Sequence, residues 1–360
     1  VELTVVVPTF NERGNVARLV DALDQALKGI SWEVIFVDDD SPDETARAVI
    51  ELAANDSRVR CLHRIGRRGL ATACIEGMLA SCAPYLAVID GDLQHDETKL
   101  PEMLALLRSD DCEIVVGSRY VDGGGIGEWD SERASQSRFA TTIAKRVLKA
   151  DLSDPMSGFF MLKREVLNKS VRRLSGIGFK ILFDIFASAP EKLRFREVPY
   201  TFRTRSEGES KMDTQAVWDY GMLILDKLVG RYVPVRFVAF TMVGGVGVAV
   251  HLAVVAALYV WQEMGFIASQ AIATYVAMTF NYAVNNALTY RDRQLKGWGW
   301  WKGLVSFTLA CSVGALAIVG IASYIFESRS QWLLAAGAGI LVGAVWNYAV
   351  SMVYTWNKRS

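Results

Sequence analysis

Two aspartates flank a glycine in Asp90-Gly91-Asp92-Leu93-Gln94-His95-Asp96, directly after the apolar run Leu86-Ala87-Val88-Ile89. The run reads as a buried strand, and polar chemistry begins where it stops. Ligands of α/β sheets bind just beyond the carboxyl ends of strands. There Asp90 and Asp92 can hold a hard divalent cation through oxygen. Gly91 lets the backbone approach whatever the cation holds. A plain turn uses the same residue types. Three further polar clusters close apolar runs: Pro8-Thr9-Phe10-Asn11-Glu12, Asp38-Asp39-Asp40-Ser41-Pro42-Asp43 and Gly117-Ser118-Arg119-Tyr120. Aspartates gathered at neighbouring strand ends repel one another unless a cation or a donor-rich ligand offsets them. A metal and a nucleotide base are the natural partners.

These clusters need a sheet to hold them. Apolar runs predict strands near 4–7, 33–37, 59–62, 86–89 and 114–117. Helical periodicity predicts helices near 15–27, 44–55, 69–81 and 98–108. Alternating strands and helices predict a mostly parallel α/β sheet with helices on both faces, which brings all four clusters to one edge.

The 360-residue chain is long enough for two domains and carries no formal net charge, so no general attraction to nucleic acid is expected. Charge is unevenly spread: residues up to about Arg236 are mixed, and from Phe237 the chain is mostly apolar. The start on a strand pattern predicts no signal peptide. The five cysteines form no Cys-x-x-Cys pair, and three scattered histidines are too few for a zinc site.

The expected domains are a soluble one over 1–212, amphipathic juxtamembrane helices over 213–234, and an all-α membrane domain over 235–360. Four apolar stretches, near 237–261, 266–290, 304–326 and 332–356, each exceed the roughly 20 residues that cross a bilayer. Arg236, Arg291, Arg293, Lys296, Lys302, Lys358 and Arg359 fall at the ends nearer the soluble domain, which predicts a multi-pass cell-membrane protein with that domain in the cytoplasm. Trp298, Trp300 and Trp301 suit an interfacial belt. Phe240, Gly247 and Asn281 recur as Phe307, Gly314 and Asn347, so the first two stretches repeat as the last two. Asn281, Asn285, Asn286 and Asn347 then read as polar groups joining helices.

The ordered motifs, with Ser157-Gly158-Phe159-Phe160 and Arg205 before Gly208-Glu209-Ser210-Lys211, resemble glycosyltransferase family 2 over Val1 to Tyr232. Within it the chain is similar to dolichol-phosphate mannose synthases and related polyprenyl-phosphate sugar transferases. Its membrane half resembles the GtrA-like family. The resemblance implies a GT-A-type, Rossmann-like catalytic domain followed by four transmembrane helices. It places Pro8, Phe10, Glu12, Val37 and Asp39 around the donor base and ribose. It gives Asp90, Asp92 and Gln94 to Mg²⁺ or Mn²⁺, with Gly91 beside the donor. Arg119, Lys180, Arg205 and Lys211 meet phosphates, and Arg119, Arg133 and Ser137 meet the acceptor phosphate. Asp92, Arg119 and Arg205 are the catalytic assignments. Phe10 stands where many relatives carry Tyr, and Gly91 where mannose synthases often carry Ala.

The implied reaction moves a sugar, mannose from GDP-mannose in the first instance, onto a polyprenyl phosphate. A phosphate monoester has a second pKa of about 6 and is mostly a dianion at neutral pH, so it attacks without a general base. A single displacement on an α-linked donor gives a β-linked product. Alternatives are a UDP-glucose or other UDP-sugar transferase, and a sugar–lipid transporter with a vestigial binding domain. A processive synthase is disfavoured by the lack of a Gln-x-x-Arg-Trp motif. His95 reads as a residue supporting the turn.

Overall fold

The computed structural model describes residues 1–125, 148, 150–203, 214–230, 232–329 and 332–357. The stretch from Glu132 to Lys149, with Arg133 and Ser137, lies outside the described residues except for Leu148; Arg205, Lys211, Lys358 and Arg359 also lie outside. The chain divides into two compact units, Val1–Lys227 and Leu228–Ser360.

The first unit holds a seven-stranded sheet. Strands β1 (Leu3–Thr9), β2 (Trp32–Asp38), β3 (Val59–His63), β4 (Tyr85–Val88), β5 (Ile114–Ser118), β6 (Phe160–Lys163) and β7 (Phe195–Pro199) lie in the order β3-β2-β1-β4-β6-β5-β7. All neighbours are parallel except β6, which runs antiparallel to β4 and β5. Helices α1 (Arg13–Ala26), α2 (Thr45–Ala53), α3 (Leu70–Leu79) and α4 (Leu100–Arg108) fill the expected crossovers. Two more, α5 (Arg164–Ser170) and α6 (Ile181–Ser188), follow β6.

Alternation along β1 sends Val5 and Val7 to one face and Val6 to the other. The first face packs on Val16, Leu19 and Leu23 of α1 and Leu104 of α4. The second packs on Cys74 and Met78 of α3 and Leu182 of α6. Burial on both faces explains why these strands read as continuous apolar runs. Each fully buried Val, Leu or Phe contributes about 1.5–3 kcal/mol. An amphipathic helix, α7 (Thr214–Val229), closes the described part of this unit and runs into the next.

The second unit is helical. Helix α8 (Val235–Val255) continues as a π-turn to Trp261, and α9 (Phe266–Val284) ends in the π-turn Asn285–Thr289. Helix α10 (Trp298–Arg329) starts earlier than expected and takes in the three tryptophans. Helix α11 (Trp332–Val350) ends in the π-turn Ser351–Thr355. Among the described residues one helix, Val235–Trp261, is long and apolar enough to cross a membrane by length and composition. Outward-facing side chains are apolar, with Val248, Leu252, Ile267, Tyr275 and Leu309 all exposed, a surface suited to lipid.

Residues at matching repeat positions meet. Tyr290 stacks on Trp356 at 4.0 Å, and Phe240 lies edge-on to Phe307 at 6.3 Å. Asn281 packs against Gly247 and Asn347 against Gly314, where any Cβ would collide with the carboxamide. The asparagines thus fit helix to helix, as small-residue packing allows.

Candidate active site

The carboxyl ends of β1, β2, β4 and β5 share one edge of the sheet, and antiparallel β6 begins there, with Phe160 opposite Val88 and Val116. β7 ends at the same edge, beside Ser118. The motifs at 8–12, 38–43, 90–96, 117–120 and 157–160 therefore converge. Tight loops make the turns. Asn11, Asp40 and Leu93 each have a left-handed backbone, with φ of 61°, 56° and 62°. Asn and Asp tolerate that region, but leucine does so at a cost of about 1–3 kcal/mol, which the surrounding bonds must offset.

The three consecutive aspartates that end β2 and follow it have three fates. Asp38 is fully buried and accepts from Ser41 N (3.0 Å), Ser41 Oγ (2.6 Å) and Thr9 Oγ1 (3.3 Å), so it shapes the loop. Asp39 accepts from Gly69 N at 2.6 Å and pairs with Arg64 at 2.9 Å. Burial raises its carboxyl against those two contacts. Asp40 sits below the usual carboxylate range because Gly66 N–H and His63 hold it. The repulsion expected to need a bound cation is thus relieved here largely by Arg64, whose side chain is 3% exposed. Arg64 also donates to Gly69 O and Thr72 Oγ1, which ties this loop to the start of α3.

At the end of β1, Pro8 and the following Phe10 are half-buried, and the Arg68 guanidinium lies 4.2 Å from the Phe10 ring centroid. Glu12 accepts from Asn15 Nδ2 at 2.7 Å. Val37 is fully buried against Gly77 of α3, so its side chain lines no pocket and any ligand contact must be through its backbone. Gly91 is where β4 closes on β1: a Cβ there would lie 3.1 Å from Thr9 Cγ2 and 3.6 Å from Glu12 Cγ.

The Asp90–Asp96 turn is clasped from both sides. Asp90 N–H donates to His95 Nδ1 at 3.2 Å, and the carboxylate is about a third exposed. Asp92 is 7% exposed and accepts from Gln94 N at 3.1 Å. Gln94 Nε2 donates to Arg203 O (3.0 Å), which leaves its oxygen for other partners. Arg203 donates its own N–H to Gln94 O and pairs with Glu97 at 2.7 Å and Asp96 at 2.8 Å. His95 is buried, stacked on Phe159 and edge-on to Tyr200 and Phe202. Burial pulls its pKa down to about 4, so it is neutral, with its proton on Nε2. It supports the turn and is no general base.

Two predictions follow from this packing. Neutral His95 stabilises the fold fully above about pH 6.5; the unfolded chain binds the extra proton first, so stability falls from about pH 6.5 to about 4. The loss is up to about 3 kcal/mol, read from pH-dependent melting of the wild type against His95→Gln. At Gly158 a Cβ would lie 2.9 Å from Asp90 Oδ2 and 3.3 Å from the His95 ring. Gly158→Ala should therefore displace Asp90 and lower kcat/KM by about 10²-fold while the melting temperature changes little.

Two cations face this edge. Arg119 makes a bidentate pair with fully buried Asp154, Nε at 2.7 Å and Nη2 at 2.8 Å. Ser153 and Asp154 N–H groups are held by Glu197 of β7. Lys180, the residue before α6, donates to Met156 O at 3.4 Å. Burial, and then the Arg119 charge, pull its ammonium down to about 8; Asp154 and Asp90 oppose that shift. Lys180, Arg119, Asp154 and Asp90 therefore share one electrostatic neighbourhood. The sequence reading missed Asp154, Arg64 and Arg203.

Among the described residues no three His, Cys, Asp or Glu side chains gather as a metal cage. Two carboxylates and a carboxamide oxygen suit a hard cation that completes its shell with phosphate and water, as Mg²⁺ and Mn²⁺ do.

Residues 4–171 match the family described as glycosyl transferase family 2, and residues 239–356 match the GtrA/DPMS transmembrane domain. The chain is 30% identical over 359 residues to a dolichol-phosphate mannosyltransferase of Pyrococcus furiosus, covering 99% of each chain. It is 34% identical over 229 residues to the Saccharomyces cerevisiae enzyme of that name, covering 61% of this chain and 84% of that one. Among solved structures, glucosyl-3-phosphoglycerate synthase from Mycobacterium tuberculosis, crystallised with Mn²⁺, UDP and glucosyl-3-phosphoglycerate, aligns with a TM-score of 0.48. That match has 16% identity and covers 64% of this chain and 79% of that one.

Proposed function

Since the chain belongs to the dolichol-phosphate mannosyltransferase family, we propose that it transfers mannose from GDP-mannose to a polyprenyl phosphate, inverting the anomeric carbon. It is a glycosyltransferase, with a membrane domain of the GtrA/DPMS type. The observation that carries the reading is the gathering of Asp90 with Lys180 and Arg119 at the sheet edge from which the Asp90–Asp92 turn projects, beside a histidine that is neutral and already engaged.

The roles follow from that arrangement. Asp90, Asp92 and the Gln94 oxygen would hold Mg²⁺ or Mn²⁺, which when bound stabilises charge on the departing diphosphate as a Lewis acid. Phe10 and Arg68 offer a stacking surface to the base, and Asp39 an acceptor for base or ribose donors. Lys180 places positive charge near the diphosphate. Arg119, fixed by Asp154, orients phosphate by directed donors, and Arg133, Ser137, Arg205 and Lys211 complete the phosphate contacts. The acceptor dianion is itself the nucleophile, so no side chain need remove a proton.

The acceptor's prenyl chain cannot leave the bilayer, which gives the second unit its part: a multi-pass anchor of four helices. Arg236, Arg291, Arg293, Lys296 and Lys302 flank its helices and favour a cytoplasmic catalytic unit. Soluble residues 1–212, interfacial residues 213–234 and membrane residues 235–360 are the proposed working parts.

A panel of labelled nucleotide sugars, offered with polyprenyl phosphate to the purified full chain, tests the assignment. GDP-mannose should give the highest kcat/KM. Preference for a UDP-sugar would replace the donor, and no transfer from any donor would overturn the proposal.

A further inference from the structure

Lys227, near the end of α7, lies far along the chain from every site motif, yet it is buried in the first unit. Its side chain is 9% exposed and pairs with Asp184 of α6 at 2.5 Å, with Asp184 1% exposed. Lys227 Nζ also donates to Ser188 Oγ at 2.9 Å and Arg173 O at 3.1 Å. Asp184 in turn accepts from Ser175 N (2.9 Å), Ser175 Oγ (2.8 Å), Gly176 N (3.2 Å) and Ser188 Oγ (3.1 Å). One carboxylate thus joins α7, α6 and the start of the loop Ser175–Lys180.

That loop has little freedom. Gly176 and Gly178 take left-handed φ of 63° and 72°. A Cβ at Gly176 would lie 3.0 Å from Thr72 Cγ2, and one at Gly178 would lie 3.1 Å from Asp219 Cβ of α7. Gly178 O accepts from Ala71 N at 3.3 Å. The loop is therefore held between α7 and the start of α3, the same turn that carries Gly69, Thr72 and the Arg64–Asp39 pair. It ends in Lys180.

We propose that Lys227 is a positioning residue for the donor site: through Asp184 it sets the Ser175–Lys180 loop, so that donor binding depends on how α7 is seated. This rests on the reading of Lys180 as a diphosphate contact. Breaking a buried ion pair loosens what both partners hold. Because α7 is the amphipathic helix that leads into the membrane unit, its seating is the natural variable for a membrane surface to act on.

The test compares the wild type, Lys227→Met, Lys227→Arg and Ser175→Ala as full chains in phospholipid nanodiscs. Donor KM, kcat at saturating donor and GDP affinity by calorimetry are measured, with UDP as second probe. Lys227→Met should raise donor KM and the GDP Kd about tenfold while kcat changes less than about threefold. Lys227→Arg should recover most of the loss, and Ser175→Ala should move KM the same way by about threefold. A folded Lys227→Met with wild-type KM and Kd overturns the proposal. If Lys227→Met does not fold, Ser175→Ala decides, and unchanged donor binding there overturns it. A wild type that binds neither nucleotide overturns the functional reading beneath it; variants that match a binding wild type overturn this inference alone.

Discussion

Asp92→Ala is expected to lower kcat/KM by on the order of 10³-fold or more, with a melting temperature close to wild type. Asp92 is 7% exposed, lies in the turn beyond β4 and accepts from the Gln94 backbone N–H. A carboxylate that mainly built the turn would be missed as a loss of stability. One kept to hold a cation against a diphosphate would be missed as a loss of rate. Asp92→Asn separates charge from shape: it preserves the acceptor for Gln94 N yet should lose nearly as much activity. Comparable activity in wild type and Asp92→Ala would remove this carboxylate from the chemistry.

The second large effect concerns Asp154. Its carboxylate is fully buried and clamps Arg119, whose side chain is 9% exposed. Asp154→Ala leaves that guanidinium buried without its counter-charge, at a cost of about 3–5 kcal/mol. The melting temperature of the catalytic unit should fall by on the order of 10 °C, and activity should fall as Arg119 loses its orientation. Replacing both partners by apolar residues, Arg119→Met with Asp154→Leu, should restore much of the stability, because a buried pair contributes little over a well-packed apolar one. It should not restore activity. Recovery of transfer in the double variant would show that Arg119 serves the fold alone.

The strand-end clusters were legible because their strands are buried on both faces and break off sharply into Asp, Gly and Pro. Strands β6 and β7 were not: Phe160–Lys163 is four residues long, and Phe195–Pro199 mixes exposed and buried positions. Among the described strands the antiparallel one, β6, therefore came only from the structure. The motif Ser157-Gly158-Phe159-Phe160 marked its place without giving its direction.

Partners across the chain were illegible for a different reason. Arg119 meets Asp154 at a separation of 35 residues, Arg203 meets Glu97 at 106, and neither shares a helix face or strand pair that periodicity could reveal. The same holds for Arg64 and Asp39. The aspartates at the end of β2 signalled charge in need of a partner, and the fold supplies much of that partner as its own arginine. Val37 belongs to a site motif by sequence and to the core by side chain.

The most direct measurement follows labelled GDP-mannose incubated with the full chain, polyprenyl phosphate and either Mg²⁺ or Mn²⁺, with a chelator as control. Label should pass to a lipid product with a β-linked mannosyl phosphate, and the chelator should abolish the transfer. An α-linked product, transfer unaffected by the chelator, or release of free sugar without lipid product would contradict the account.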